Sequence, residues 1–232
     1  MTLAAAFCVF AVGLASILLF LVDWAARLTG LPPAGRVRWT AAAALAIAGW
    51  MTATWAAAAS GRLSQFEQRP PPMLLLFVAM VAVSVTIAWS PAGRRLLSLP
   101  LGALIAVQAF RLLLELLMHR AYEAGVMPVQ MSYSGRNFDI VTGATAIFVG
   151  WVVATTRAPE WLPAAWNWLG AVLLANIVAI AVLSTPTFAA FGQDRLNTWV
   201  AEPPYVWLPA VMVTTAMTGH LLIARKLAQR RT

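Results

Sequence analysis

Charge is what this sequence has least of. Asp, Glu, Lys and Arg make up 10% of the 232 residues, against 61% hydrophobic, where a soluble domain usually carries about 25% charged residues. No aqueous fold buries that much apolar surface, so the solvent for this chain is a bilayer. Lysine occurs once, as Lys226 in a basic C-terminal stretch, which excludes a retinal Schiff base, since that needs a lysine inside the bundle. Cysteine also occurs once, as Cys8 in the first apolar run. That excludes an intramolecular disulfide and a thiolate metal centre. The two histidines, His119 and His220, are too few for the three-histidine zinc sites of seven-helix hydrolases. Missing too are a Gly-rich phosphate loop, a Gly-x-Ser-x-Gly elbow and a His-Glu-x-x-His zinc motif. The N-terminus lacks the basic n-region of a cleavable signal peptide. Arg27, Arg36 and Arg38 follow the first apolar run instead, the order expected of an uncleaved first helix whose N-terminus faces outward.

What is present is a series of seven apolar runs: Leu3–Val22, Trp39–Ala59, Met73–Trp89, Leu101–Met118, Phe138–Thr155, Trp166–Leu183 and Tyr205–Ala224. Each approaches the ~20 residues that span the hydrocarbon core, and a spanning backbone must satisfy itself as a helix. Pro32-Pro33, Pro70-Pro71-Pro72, Ser90-Pro91, Pro159 with Pro163, and Pro203-Pro204 punctuate the intervals. The expectation is an all-α integral membrane bundle of seven transmembrane helices, forming a single domain over residues 1–232. The third run is the shortest, and a count of six would require it to be re-entrant.

The net charge of +8 lies between and after the apolar runs, which points to membrane topology and away from nucleic acid. With the N-terminus out and the C-terminus in, the inner side collects Arg27, Arg36, Arg38, Arg94, Arg95, Arg157, Arg225, Lys226, Arg230 and Arg231. The outer side keeps Arg62, Arg69, Arg120, Arg136 and Arg195, as the positive-inside rule requires. Trp24, Trp39, Trp89, Trp161, Trp166 and Trp168 are expected near one interface, and Trp55, Trp199 and Trp207 near the other. Alanine and arginine usage suits a bacterial source, hence a bacterial cytoplasmic (inner) membrane.

Small residues recur every fourth position in the second run, at Ala44, Ala48, Thr52, Ala56 and Ser60, and in the fifth at Thr142, Ala146 and Gly150. In lipid such stripes allow close helix packing, either within the bundle or, for the second helix, against another copy or a membrane partner. Membrane lipids are the other expected partners. Two outer loops are long, 120–136 and 184–204. Gly125 suits the end of the fourth helix, Val129–Tyr133 alternates like a short extended segment, and Ser134-Gly135-Arg136-Asn137 reads as a turn. The two halves show no repeat of the transporter kind.

The fourth run alone carries a polar stripe. Gln108, Arg111, Glu115 and His119 lie at steps of three, four and four, on one helix face. Arg111 is near mid-run, where a charge costs about 2.5–3.5 kcal/mol on insertion scales. Glu115, one turn away, is its expected partner, and the pair must face the interior. It serves either to orient helices or to hold a ligand. Asn176 in the sixth helix and Thr145 in the fifth are interhelical bonding partners or ligand contacts. Asn137 is a possible N-cap of the fifth helix and Asp139 suits its positive end. Both also fit an outward-facing vestibule with Arg111, Glu115 and His119, walled by Tyr205 and Trp207. Glu115, His119 and Asp139 sharing a divalent metal is a weaker alternative. His220 reads as an interfacial residue on the opposite side from His119, and no cofactor is named by these residues.

Phe110-Arg111 with Glu115, the stretch Met131-Ser132-Tyr133-Ser134-Gly135-Arg136-Asn137-Phe138-Asp139-Ile140, and Pro204-Tyr205-Val206-Trp207-Leu208-Pro209 together resemble a group of uncharacterised bacterial polytopic membrane proteins of similar length, over helices 4 to 7. That resemblance carries no activity. It implies that the Arg111–Glu115 helix and the Asn137–Asp139 turn form one unit. Three functional readings follow from the residues: binding or translocation of a small anionic or lipid-like ligand at Arg111, Glu115, His119, Asp139 and Asn176; an intramembrane enzyme using Glu115, His119 and Asp139 on a lipid-like substrate; and a non-catalytic scaffold or accessory subunit.

Overall fold

The computed structural model describes residues 1–230, so Arg231, counted above for topology, lies outside the described residues. Among these the chain is all-helical, without a strand. Seven rods form the bundle: α1 (Leu3–Leu28), α2 (Pro33–Ala59), α3 (Pro72–Trp89), α4 (Leu101–Glu123), α5 (Ile140–Thr155), α6 (Trp161–Leu183) and α7 (Leu208–Ala228). Six are long and apolar enough to cross a membrane; α5 is shorter. The short member is therefore not the third helix, as its run length suggested. α3 has 18 residues, whereas α5 has 16, about 24 Å at 1.5 Å per residue.

Local chemistry sets the ends. Pro33 and Pro72 occupy first-turn positions, where a missing N–H costs nothing, and Pro32 and Pro71 before them are extended. Pro163 sits inside the first turn of α6, not between helices. Ser90 ends α3, and its Oγ accepts from Gly93 N at 3.2 Å to start a short helix, Pro91–Leu96. Gly125, at φ 71°, follows the end of α4 in the left-handed conformation glycine favours.

One end of the bundle is closed by cations on specific acceptors. Arg27 and Arg36 both reach Asp23. Arg225 donates to Ala88 O, and Lys226 Nζ donates to Leu97 O and Leu99 O at 2.6 Å each. The cations at the end of α7 thus meet the bare carbonyls at the end of α3 and in the following turn.

α4 and α7 are the inner helices. The most apolar window of each is 56% buried, against 17% for α1 and α2. The backbone of α7 is held from four directions. It begins as a π-helical segment, Leu208–Val213, containing Pro209, a geometry that frees carbonyls from the regular ladder. Trp50 Nε1 on α2 donates to Ala210 O at 2.6 Å, and Ser84 Oγ on α3 to Thr214 O at 3.3 Å. Gln108 Nε2 on α4 donates to Ala216 O at 3.3 Å, and Asn167 Nδ2 on α6 to His220 O at 3.3 Å.

α4 and α5 make the closest crossing. A Cβ on Gly143 would run into the backbone of Arg111 and Leu112, and one on Gly150 would sit 2.7 Å from Gly102 O. The small stripe of α5 is accordingly buried, with Thr142 at 1% and Ala146 at 0% exposure. Most of the stripe on α2 is left uncovered among the described residues: Ala48, Thr52, Ala56 and Ser60 are exposed, and Ala44 is half-buried.

Candidate functional site

Gly143 fixes where the site forms. It places the start of α5 beside Arg111 and Leu112, roughly 15 Å along α4 from Leu101, about half of a ~30 Å hydrocarbon core. The segment between α4 and α5 therefore dips into the bundle from its end. Met131, Ser132 and Asn137 in it are 0% exposed. Irregular backbone at that depth is tolerated only inside protein, and here side chains bind it. Asn137 Nδ2 donates to Met131 O at 3.0 Å, and Gln130 Nε2 donates to Ser184 Oγ at 2.9 Å and Arg195 O at 2.8 Å, tying it to the loop after α6. Val129–Met131 is a 3-10 turn, not an extended segment.

At the bottom of this re-entrant loop lies a continuous polar network. Arg111, 1% exposed, donates from Nε to Asp139 Oδ2 at 2.6 Å and from Nη2 to Asp139 Oδ1. Its Nη1 meets His220 Nε2 at 2.6 Å, and Nη2 also reaches Gly170 O at 3.4 Å. A guanidinium has no acceptor, so His220 Nε2 must offer a lone pair; the imidazole is neutral and carries its proton on Nδ1. That nitrogen lies 2.9 Å from Asn167 Oδ1, which accepts the proton. Gly170 admits the ring, since a Cβ there would be 2.5 Å from His220 Cε1. On the other flank Asn137 Nδ2 donates to Glu115 Oε2 at 2.7 Å, while Asn137 Oδ1 accepts from Asp139 N at 3.1 Å. The chain of contacts runs Glu115–Asn137–Asp139–Arg111–His220–Asn167, and draws on α4, the loop, α7 and α6.

Several expectations are corrected here. The partner of Arg111 is Asp139, not Glu115. Their 28-residue separation hid a pairing that α4–α5 contact creates, and Glu115 turns to Asn137 instead. Asn137 is not the N-cap of α5: Asp139 holds that position, without a side-chain capping bond, because its carboxylate is turned to the guanidinium. His220 is not interfacial but 4% exposed within the network. Asn167 was missed altogether; its signal, one turn from Gly170 on α6, is visible only with α7 in place.

The other residues singled out lie elsewhere. Gln108 is fully buried one turn below Arg111, with its Oε1 lacking a partner among the described residues. His119 takes no part in the network. Its Nδ1 pairs with Ser132 Oγ at 2.9 Å and its ring stacks on Tyr133, centroids 4.3 Å apart. No group of three His, Cys, Asp or Glu is placed to hold a metal among the described residues. Asn176 donates to Arg136 O at 2.9 Å, supporting the loop. Tyr205 packs on Phe7 and Trp199, and Trp207 Nε1 donates to Met51 O at 3.0 Å beside Trp55. Both aromatics dock the start of α7 onto α1 and α2 and do not wall a vestibule around Arg111. Thr145 Oγ1 accepts from Trp166 Nε1 at 2.9 Å, which places that tryptophan inside, not at an interface.

Next to the network, a shallow apolar crevice with a cavity volume of only about 20 Å³ is lined by Phe77 of α3, Ile177, Val178 and Ala181 of α6, Val213 of α7 and Met131 of the loop. Met131 connects it to the polar core through its carbonyl bond to Asn137.

No protein-family model, curated protein or solved structure gives a significant match to this chain. What stands of the resemblance noted from the sequence is the architecture: an all-helical chain with helices fit to span a membrane.

Proposed function

We propose that the protein binds or translocates a small anionic or lipid-like ligand, with Arg111 as the anion-binding group and Asp139 as its resident counter-ion. One observation carries this reading. Among the described residues, the one cation buried in the core, Arg111, is neutralised by a carboxylate at the tip of a short helix, on a loop that folds in from the bundle end. A bidentate guanidinium pair of this kind is replaceable by another carboxylate or a phosphate of the same geometry, and half-helix N-termini at mid-membrane depth are where transporters hold anionic groups. The site is closed around the ion pair. The same proposal places seven membrane-embedded helices, the N-terminus outside and the C-terminus inside, in a bacterial cytoplasmic membrane.

The test is calorimetric titration of purified protein in nanodiscs with dodecyl phosphate. Wild type is expected to bind, Asp139→Asn to bind more tightly because the internal competitor is weakened, and Arg111→Ala not to bind. Equal affinity in all three would refute the assignment of Arg111. A stoichiometric second membrane protein that co-purifies only while α2 keeps its small exposed stripe would favour the accessory-subunit reading.

A further inference from the structure

The charges of the buried core do not balance. Arg111 supplies one positive charge, and Asp139 takes it in a bidentate pair. Glu115 is a second carboxylate, 2% exposed, whose Oε2 accepts from the neutral amide of Asn137. Among the described residues no cation lies within salt-bridge distance of it. His220 cannot make up the difference, because its contact with Arg111 requires the neutral ring. The surrounding helices add nothing. There is no Asp, Glu, Lys, Arg or His in α1 before Asp23, in α3, in α5, in α6, or in α7 before His220; His119 at the loop edge is occupied by Ser132, Tyr133 and Glu123, the last at 3.5 Å from its Nε2. The N-terminus of α5 offers about half a charge, directed at Asp139. An unpaired carboxylate in such surroundings costs several kcal/mol, so the group neutralises instead.

We infer that this site is proton-linked, with Glu115 carrying a bound proton in the closed state and a further proton accompanying each anion that takes Arg111 from Asp139. The second half rests on the anion-binding reading and follows from the same count. When an incoming anion pairs with Arg111, the carboxylate of Asp139 is left without a cation at the same depth. Balance is restored when an O–H bond forms on that carboxylate with a proton from the aqueous phase, which adds one positive charge for the one negative charge brought in. Asn137 is the positioning residue, since its side chain contacts both Glu115 and the backbone of Asp139 and so holds the two carboxyl groups in one network.

Two measurements test this. Infrared spectra of the protein in sodium-free lipid vesicles at neutral pH should show a carboxylic-acid carbonyl band that shifts in D2O and disappears in Glu115→Gln. That variant keeps an acceptor for Asn137 and should fold with an unchanged melting temperature. Absence of the band in wild type, its survival in Glu115→Gln, or its loss when sodium is added would overturn the resting proton, the last result identifying a sodium site. Addition of dodecyl phosphate to weakly buffered protein at a pH more than a unit below its second pKa of about 6, where it is a monoanion, should then be accompanied by uptake of one proton per anion bound, and none in Asp139→Asn. Binding without proton uptake would overturn the coupling. If dodecyl phosphate fails to bind to either protein while the infrared band is present, the anion reading fails and the proton site on Glu115 stands.

Discussion

Replacing Gly143 with alanine tests the contact on which the site depends. The added methyl would collide with Leu112 N and stand 2.8 Å from Arg111 C and Leu112 Cα, and all three are backbone atoms of a packed helix that cannot swing aside. Restoring ordinary contact with Arg111 C and Leu112 Cα alone needs a retreat of about 0.6 Å, relieving Leu112 N needs more, and interiors at crystal-like density have little slack for that. Overpacking of this type costs about 1–3 kcal/mol. For a chain of this size each kcal/mol moves Tm by roughly 2–4 °C, so a fall of about 2–12 °C is expected. The retreat also draws Asp139, four residues earlier, away from Arg111, so dodecyl phosphate should bind more tightly even as the fold weakens. Gly13→Ala is the control. It lies on α1 with nothing within 4 Å of the added carbon and should gain up to about 1 kcal/mol of helix propensity. Thermal unfolding of both variants in the same detergent is the assay. If Gly143→Ala melts no lower than Gly13→Ala, α4 and α5 do not touch as described and the placement of Asp139 beside Arg111 fails with it.

Asp139→Ala should destabilise by about 3–5 kcal/mol, because it strands a buried guanidinium, whereas Arg111→Leu combined with Asp139→Leu should cost less than Asp139→Ala alone; additive losses in a double-mutant cycle would show the pair is not coupled. Nitrogen-15 spectra of histidine-labelled protein should show His220 as a neutral ring protonated on Nδ1, a preference that should survive Asn167→Leu because Arg111 still requires the Nε2 lone pair; a doubly protonated His220 in wild type would contradict its contact with Arg111.

Much of the architecture was legible before any coordinates. Apolar runs broken by prolines located the six helices long and apolar enough to cross a membrane and the shorter α5, because a backbone in hydrocarbon must bond to itself over the whole span. The polar stripe of α4 was legible for the same reason: Gln108, Arg111 and Glu115 are too costly to face lipid, and all three are buried. Helical periodicity describes one helix at a time, however, and so it paired Arg111 with Glu115, its nearest opposite charge in sequence. It read His220 by its distance from the chain end, when the ring's surroundings are Arg111, Asn167 and Gly170. The exposed stripe on α2 and the buried one on α5 are alike as sequence; only α5 has a neighbour lying against it.

The sequence by itself determined the solvent, the secondary structure and the helix that carries buried charge, since each follows from the cost of exposing polar groups to hydrocarbon. Which carboxylate neutralises Arg111, which histidine joins it, and that Glu115 is left without a cation were decided by tertiary structure alone. Those depend on how closely the backbones of α4 and α5 approach at Gly143, on the room Gly170 leaves for the His220 ring, and on how deep a loop folds back, quantities that no local spacing encodes.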